Sequence, residues 1–343
     1  MKKNVAVVIL NYNGAEMLER FLPSVVQNTP EARIVVADNG STDNSVAVVR
    51  ESFPMVEVLE LGANFGYAEG YNRALAAVTA DYFVLLNSDV EVTCGWLAPL
   101  VECVEGDSSV VACQPKILDY KNKTHFEYAG ASGGFIDAYG YPFCRGRLFD
   151  TVEEDCGQYN DACPVFWATG AALLVRASAF WEAGGFDGRF FAHMEEIDLC
   201  WRLLARGGKI MAMPASVVYH VGGATLQKSN PKKTYLNFRN NLLLLYKNMP
   251  GCKLRRVLRV RRLLDYVAAL KFLFTGNWGD FRAVVRARRD FQRMKNDFAV
   301  SRAENMSKTV VAEPEGLFSF SLLWQYFFKR RRTFQLLPKN NDK

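Results

Sequence analysis

The chain has 343 residues, half of them hydrophobic, which is enough for one large domain with its own core plus an appendage. No apolar run reaches the roughly 18 residues of a membrane span. The apolar stretch after Met1-Lys2-Lys3-Asn4 is too short for a signal segment. Eight scattered cysteines, with neither a C-x-x-C pair nor a zinc spacing, predict reduced thiols in the cytosol rather than a disulfide framework. The net charge of +6 joins two unlike parts. Residues 1–227 carry 16 Lys and Arg against 28 Asp and Glu, a net of −12, while residues 228–343 carry 26 against 8, a net of +18.

Two periodicities alternate over the first hundred residues. Segments 5–10, 33–37, 56–61 and 82–86 are short, apolar and rich in β-branched residues, which predicts strands. Segments 15–26, 45–52 and 67–78 between them carry helical spacing. The alternation predicts βαβ units and a largely parallel sheet with right-handed crossovers. Residues 121–163, rich in Gly, Tyr, Asp and Cys, show no periodicity and read as an insertion lining a cleft. A strand is then predicted over 165–175, a helix over 196–205 stopped by Gly207-Gly208, and a pair of strands over 209–213 and 217–220. From Pro231 onward the chain reads helical and basic.

Each of the first four strands ends in a polar cluster: Asn11-Tyr12-Asn13-Gly14, Asp38-Asn39-Gly40-Ser41-Thr42-Asp43, Asn64-Phe65-Gly66 and Asn87-Ser88-Asp89. One such cluster is an ordinary turn. Four on the same edge of a parallel sheet build a pocket where open α/β sheets bind ligands. Asp38 can accept from a pyrimidine imide N–H, and Gly66 permits close backbone approach. Asn87 and Asp89, two residues apart, can converge on a hard divalent cation that holds a diphosphate. No G-x-G-x-x-G follows the first strand and no P-loop occurs anywhere, which excludes a Rossmann redox domain and a P-loop NTPase.

Taken in order, Val7-Val8-Ile9-Leu10-Asn11-Tyr12-Asn13, Val36-Ala37-Asp38-Asn39-Gly40-Ser41-Thr42-Asp43, Asn64-Phe65-Gly66 with Gly70-Tyr71-Asn72, and Leu85-Leu86-Asn87-Ser88-Asp89 resemble the family 2 glycosyltransferases. The resemblance covers about the first 225 residues, and its nearest kind is the rhamnosyltransferase-like members of bacterial cell-surface polysaccharide synthesis. It implies an α/β GT-A fold with a mostly parallel central sheet. The catalytic domain would span 1–227, with a nucleotide-binding half to about 115 and an acceptor half from about 116. A basic helical extension, 228–343, would follow.

The implied activity is inverting, metal-dependent transfer of a sugar, rhamnose among the candidates, from a nucleoside-diphosphate donor to a saccharide or lipid-linked acceptor. The implied donor set is Asn11, Asn13, Asp38, Asp43, Asn64, Gly66, Asn72, Asn87, Ser88 and Asp89. Asn87-Ser88-Asp89 stands at the D-x-D position with Asn in place of the first Asp. Asp89 would bind Mn²⁺ or Mg²⁺, joined by His220. Glu195-Glu196-Ile197-Asp198 resembles the E-D-x-D motif whose first Asp is the general base. Here Glu196 takes that place, Glu195 is the alternative, Asp198 completes the catalytic set, and His193 lies near the acceptor.

In the tail, Arg255, Arg256, Arg259, Arg261 and Arg262 precede apolar residues 263–274, and 317–328 runs into Lys329-Arg330-Arg331-Arg332. Apolar segments bounded by cations suit an interfacial helix on an anionic membrane, placing the enzyme peripherally on the inner face of the cytoplasmic membrane. No DNA- or RNA-binding module accompanies the charge, which argues against a nucleic-acid partner. The other reading is a helical subdomain packed on the catalytic body. Two rival functions exist: a catalytically silent sugar-nucleotide or glycan-binding scaffold, opposed by intact Asp38, Asp89 and Glu196; and a sugar nucleotidyltransferase, which wants a glycine-rich loop where Asn11-Tyr12-Asn13 stands.

Overall fold

The structure, a computed structural model, describes residues 3–222 and 230–339. The expected boundary at 227/228 therefore lies outside the described residues. Strands β1 (Val5–Asn11), β2 (Arg33–Asp38), β3 (Glu57–Glu60) and β4 (Tyr82–Asn87) alternate with helices α1 (Ala15–Asn28), α2 (Ser45–Ser52) and α3 (Gly66–Ala76). The chain continues through β5 (Val90–Val92), α4 (Ala98–Gly106) and β6 (Val110–Asp119). The insertion holds four short strands, β7 (Gly134–Ile136), β8 (Pro142–Cys144), β9 (Arg147–Leu148) and β10 (Thr151–Val152). Then come β11 (Cys163–Pro164), β12 (Ala172–Arg176), α5 (Ala177–Glu182), α6 (Glu195–Ala205) and β13 (Lys209–His220). The extension forms α7 (Pro231–Asn248), α8 (Gly251–Phe274), α9 (Trp278–Met294) and α10 (Ala299–Ser307).

Among the described residues the central sheet has nine strands in the order β11-β13-β6-β12-β4-β1-β2-β3, with β5 paired to β13. Strands β3, β2, β1 and β4 run parallel, as the alternation predicts. The sheet is mixed beyond them: β12 runs antiparallel between β4 and β6, and β13 lies parallel to β6. Residues Val5 to Ile9 are buried throughout, so β1 is covered on both faces. Alternate residues point to opposite faces. Ala6 and Val8 join one core with α3 and α6, and Val5, Val7 and Ile9 join another with α1 and α4.

Two strand expectations are corrected. Of the 165–175 segment only the residues from Ala172 onward form a ladder strand, β12, which runs one residue further to Arg176. Trp167 instead pairs with Gly134 of the insertion, and the Thr169 amide donates to the Gln114 side chain at 2.9 Å. The expected pair 209–213 and 217–220 is one strand, β13, whose register on β6 slips between Met213 and Val217. Pro214 in that interval has no N–H for the ladder.

The extension packs as part of the body. Leu242, Leu243, Leu244 and Leu245 of α7 are fully buried in the same core as Trp201 and Leu203 of α6. Further on, the Phe318 amide donates to the Ile136 carbonyl at 2.8 Å, and the Phe318 and Phe334 rings pack edge-on or tilted around Phe135 and Phe143 of the insertion sheet. Some of the basic excess is neutralised internally. Buried Arg261 pairs with Asp265 at 3.3 Å, lies over the Tyr141 ring and donates to the Tyr139 carbonyl, and Arg288 reaches Asp265 at 2.6 Å. Among the described residues no helix is long and apolar enough to cross a membrane.

Candidate active site

The parallel register sets the donor end. Asn11 lies opposite Asp38 and Leu10 opposite Asn87, so three strands deliver their polar ends to one edge. Asn11 Nδ2 donates to Asp38 Oδ1 at 3.2 Å and to Ser41 Oγ at 3.1 Å, while the Ser41 amide donates to Asp38 Oδ2 at 2.9 Å. Asn11 Oδ1 is buried without a partner. Asn13, at φ 51°, accepts from the Thr42 amide at 2.7 Å and its own amide donates to Ser41 Oγ at 2.9 Å. Asn64 Oδ1 accepts from the Gly66 amide at 2.9 Å. Asn39 braces the same loop, accepting from the Phe65 amide and donating to the Gly66 carbonyl, both at 3.0 Å.

Two members of the expected donor set hold loops instead. Asp43 accepts from the Ala15 amide at 3.1 Å, the Ser45 amide at 3.0 Å and the Ser45 hydroxyl, so it fastens the starts of α1 and α2. Burial alone would raise its carboxyl, but the bonds from Ser45 and Ala15 outweigh that and hold it below the usual range. Asn72 bonds both backbone groups of Phe186, at 2.8 and 2.9 Å, and so pins the loop before α6. Each has the composition of a ligand contact and the geometry of a brace.

The D-x-D-like end of β4 meets β13. Pairing of β5 with β13 sets His220 opposite Val90, and His220 Nε2 lies 3.1 Å from Asp89 Oδ1 and 3.4 Å from Asn87 Nδ2. Ser88 sits beside Gly14 at the same edge. Behind the ring, His220 Nδ1 is 3.6 Å from Glu127 Oε2, a buried carboxylate that sequence reasoning missed. Burial would lower the imidazole, but Asp89 and Glu127 overcome it and push it up to about 10. Asp89 is in turn held below its ordinary range: burial raises it, and the His220 bond and charge outweigh the burial.

Asp89 and His220 would hold a divalent cation with His220 neutral, giving up the proton that its contact with Asp89 otherwise favours. Among the described residues no group of three or more His, Cys, Asp or Glu side chains surrounds one point.

The loop before α6 is under strain. Phe191, His193 and Met194 all have positive φ, at 68°, 68° and 73°, a region that costs a non-glycine residue energy. Asn240 of α7 holds it: its Nδ2 lies 3.0, 2.8 and 2.8 Å from the carbonyls of Phe190, Ala192 and His193, and Arg239 adds a bond to Phe190 at 3.1 Å. The loop also touches the donor end. The Tyr67 amide donates to the Phe191 carbonyl at 2.9 Å, and a Cβ on Gly66, itself at φ +76°, would stand 2.6 Å from the Phe191 ring.

That loop launches α6, where Glu195 is buried and Glu196 half-buried, each with a buried oxygen lacking a partner. Burial raises both carboxyls, Glu196 to about 7, and the charge of Glu196 adds to the effect on Glu195. His193 Nε2 is likewise orphaned, and burial, then Lys233, drives its imidazole down to about 4. Asp198 is different. It is sealed from solvent and accepts from Arg202 at 2.7 Å, Lys247 at 2.8 Å and Asn248 at 2.7 Å. With no oxygen open to a substrate it anchors α6 to α7, which removes it from the expected catalytic set.

A GT-A sheet with a polar donor edge, an Asp–His pair at its end and two raised carboxyls that follow the loop packed on that edge defines a sugar transferase that uses a nucleotide-sugar donor. Residues 6–170 match the family model "Glycosyl transferase family 2". The N-acetylglucosaminyl-diphospho-decaprenol L-rhamnosyltransferase of Mycobacterium tuberculosis is 31% identical over 229 residues, covering 62% of this chain and 75% of that protein. Rhamnosyltransferase WbbL of Escherichia coli is 23% identical over 223 residues, 63% of this chain and 83% of that one. A solved structure of the Pyrobaculum calidifontis mannosyltransferase PcManGT, in complex with GDP-Man and Mn²⁺, matches with a TM-score of 0.54 at 15% identity, over 90% of this chain and 86% of that one. The chain belongs to glycosyl transferase family 2, near its rhamnosyltransferases.

Proposed function

We propose that the enzyme transfers rhamnose, with inversion and with a divalent cation, from a nucleoside-diphosphate donor to a lipid-diphosphate-linked saccharide during cell-surface polysaccharide synthesis. The sugar rests on the activities named for the mycobacterial and E. coli relatives, and the acceptor class on that of the mycobacterial one. Asp38 and Asn11 would receive the base, with Asn13, Asn64, Gly66, Asn87 and Ser88 shaping the donor edge. Asp89 and His220 would hold Mn²⁺ or Mg²⁺, whose chemistry when bound is to offset the charge gathering on the departing diphosphate. The PcManGT complex supports a divalent ion of this kind.

The observation that carries the reading is Glu196: a raised carboxyl with an unpartnered oxygen at the start of α6, five residues after Phe191, whose carbonyl and ring contact Tyr67 and Gly66. A carboxylate with a pKa near the working pH is suited to take a proton. Glu196 takes it from the acceptor hydroxyl as that oxygen attacks the anomeric carbon. The carbon–oxygen bond to the diphosphate breaks with its electron pair, and a single displacement inverts the centre. Glu195, more deeply buried and raised first by that burial and then by the charge of Glu196, fits a supporting part. A lipid-linked acceptor supports a working position at an anionic membrane surface, on the inner face of the cytoplasmic membrane. Diphosphate release from a panel of nucleotide sugars, with a prenyl-diphosphate-linked saccharide as acceptor, tests the reading. Glu196→Gln should abolish release while retaining donor binding, and full activity of that variant would defeat it.

A further inference from the structure

Helix α8 has two unlike faces. Leu254, Val257, Arg261, Asp265 and Ala269 are buried at spacings of three and four against the body. The opposite face leaves Leu263, Tyr266, Val267, Leu270 and Phe274 exposed, Leu263 at 67% and Phe274 at 84%. Trp278, just past the turn into α9, is 59% exposed. A single exposed leucine is ordinary, but a continuous apolar stripe over three turns that ends in two exposed aromatics marks a contact surface.

The charges around this stripe identify what it contacts. The first half of α8 exposes Arg255, Arg256, Arg259 and Arg262, and α9 exposes Arg282, Arg286, Arg289 and Arg293, the last three sharing the single carboxylate of Asp290. Helix α8 has one carboxylate, Asp265, and it is buried between Arg261 and Arg288. Twelve residues separate Arg262 from Phe274, about 18 Å along the axis. The hairpin is therefore an apolar tip behind which a cationic collar stands, from about one turn on α9 (Arg282 after Trp278) to about three on α8 (Arg262 before Phe274). Lys271 lies within the tip, and a lysine stem can lie along apolar surroundings while its ammonium reaches back to water. A symmetric contact with a second copy would set this collar against itself, whereas a lipid surface offers phosphates around an apolar interior.

We propose that the α8–α9 hairpin is the surface by which the enzyme seats on an anionic lipid bilayer. Leu270, Phe274 and Trp278 enter the interface and the α8 and α9 arginines lie among the headgroups. This rests on the membrane position proposed above and locates it on the hairpin rather than on the Lys329–Arg332 run. The apolar segment before that run is divided: Phe318, Leu322 and Tyr326 are buried, and only its last turn exposes Trp324, Phe327 and Phe328, a shorter stripe than the three turns of α8.

Flotation of the full chain with phosphatidylglycerol–phosphatidylcholine vesicles, and with phosphatidylcholine alone, tests the assignment. The wild type should float with the anionic vesicles and lose the interaction at high salt. The triple variant Leu270→Ser, Phe274→Ser, Trp278→Ser should lower the partition coefficient by at least about tenfold, with unchanged melting and unchanged nucleotide binding because all three side chains are exposed. Reversal of Lys329–Arg332 to Glu should cost less than the triple variant. A triple variant that floats like the wild type overturns the hairpin while leaving the membrane position intact. A wild type that never floats overturns both. A dimer in solution that the triple variant dissolves assigns the face to a second copy instead.

Discussion

Replacing Glu196 by Gln separates two consequences of one buried carboxyl. Raised from the ordinary 4.5 to about 7, the group is protonated in the folded protein over a window where the unfolded chain has already ionised. A carboxyl raised on folding contributes stability that is complete below about 4.5 and is lost as pH climbs through about 7. At pH 8 the difference of about 2.5 units corresponds to roughly 3 kcal/mol of destabilisation, taking 1.36 kcal/mol per unit. Gln keeps the size and cannot ionise. The variant should therefore melt higher than the wild type at pH 8, by about 5 °C for a chain of this size, and the gap should close by pH 4.5. Over the same range wild-type kcat/KM should rise about tenfold per unit below pH 7 and level above it, while the variant loses a factor of about 10² to 10⁴ in kcat. Differential scanning fluorimetry across pH, beside a pH–rate profile, reads both. A wild-type rate flat from pH 5.5 to 8, with identical melting of the two proteins at every pH, would refute the reasoning.

Asp89→Ala should remove Mn²⁺-supported diphosphate release and weaken nucleotide binding, and the wild type should lose activity in excess chelator; full activity there would exclude the cation. Asn240→Ala frees the three loop carbonyls, so kcat should fall by about 10- to 100-fold with donor KM nearly unchanged; an equal loss in donor affinity would place Asn240 in the donor site. Asp198→Asn strands Arg202 and Lys247 beside a neutral partner and should cost about 3–5 kcal/mol in denaturant titration; normal stability with lost turnover would restore Asp198 to catalysis.

Features that depend on neighbours in sequence were legible, and those that depend on distant contacts were not. The parallel half of the sheet followed from short β-branched runs alternating with helical spacing, and its polar strand ends fell where the register places them. Asp43, Asn72 and Asp198 show the limit. An Asp or Asn in a turn has the same letters whether it meets a ligand or a backbone amide, and only the Ala15, Phe186 and Lys247 contacts decide. Glu127 and Asn240 left no local signal because their partners lie far along the chain, Asn240 about 50 residues from the carbonyls it holds. Strand β6 escaped notice because Gln114, Pro115 and Lys116 interrupt its apolar run; the lysine is buried against Asp155 at 2.7 Å. Strands of two or three residues in the insertion are too short to show a period. Tail arginines looked alike in sequence, yet Arg261 and Arg288 are internal ion-pair partners while Arg259 and Arg262 face solvent.

The central claim is that the donor edge and the Glu196 loop together move one sugar from a nucleoside diphosphate. Its most direct measurement is NMR of the product formed by purified enzyme, Mn²⁺, a nucleoside-diphosphate-rhamnose and a prenyl-diphosphate-linked saccharide. The account predicts stoichiometric nucleoside diphosphate and a rhamnoside of anomeric configuration opposite to the donor, formed by the wild type and not by Glu196→Gln. A product that retains the donor's configuration, or one formed equally by the variant, would contradict it.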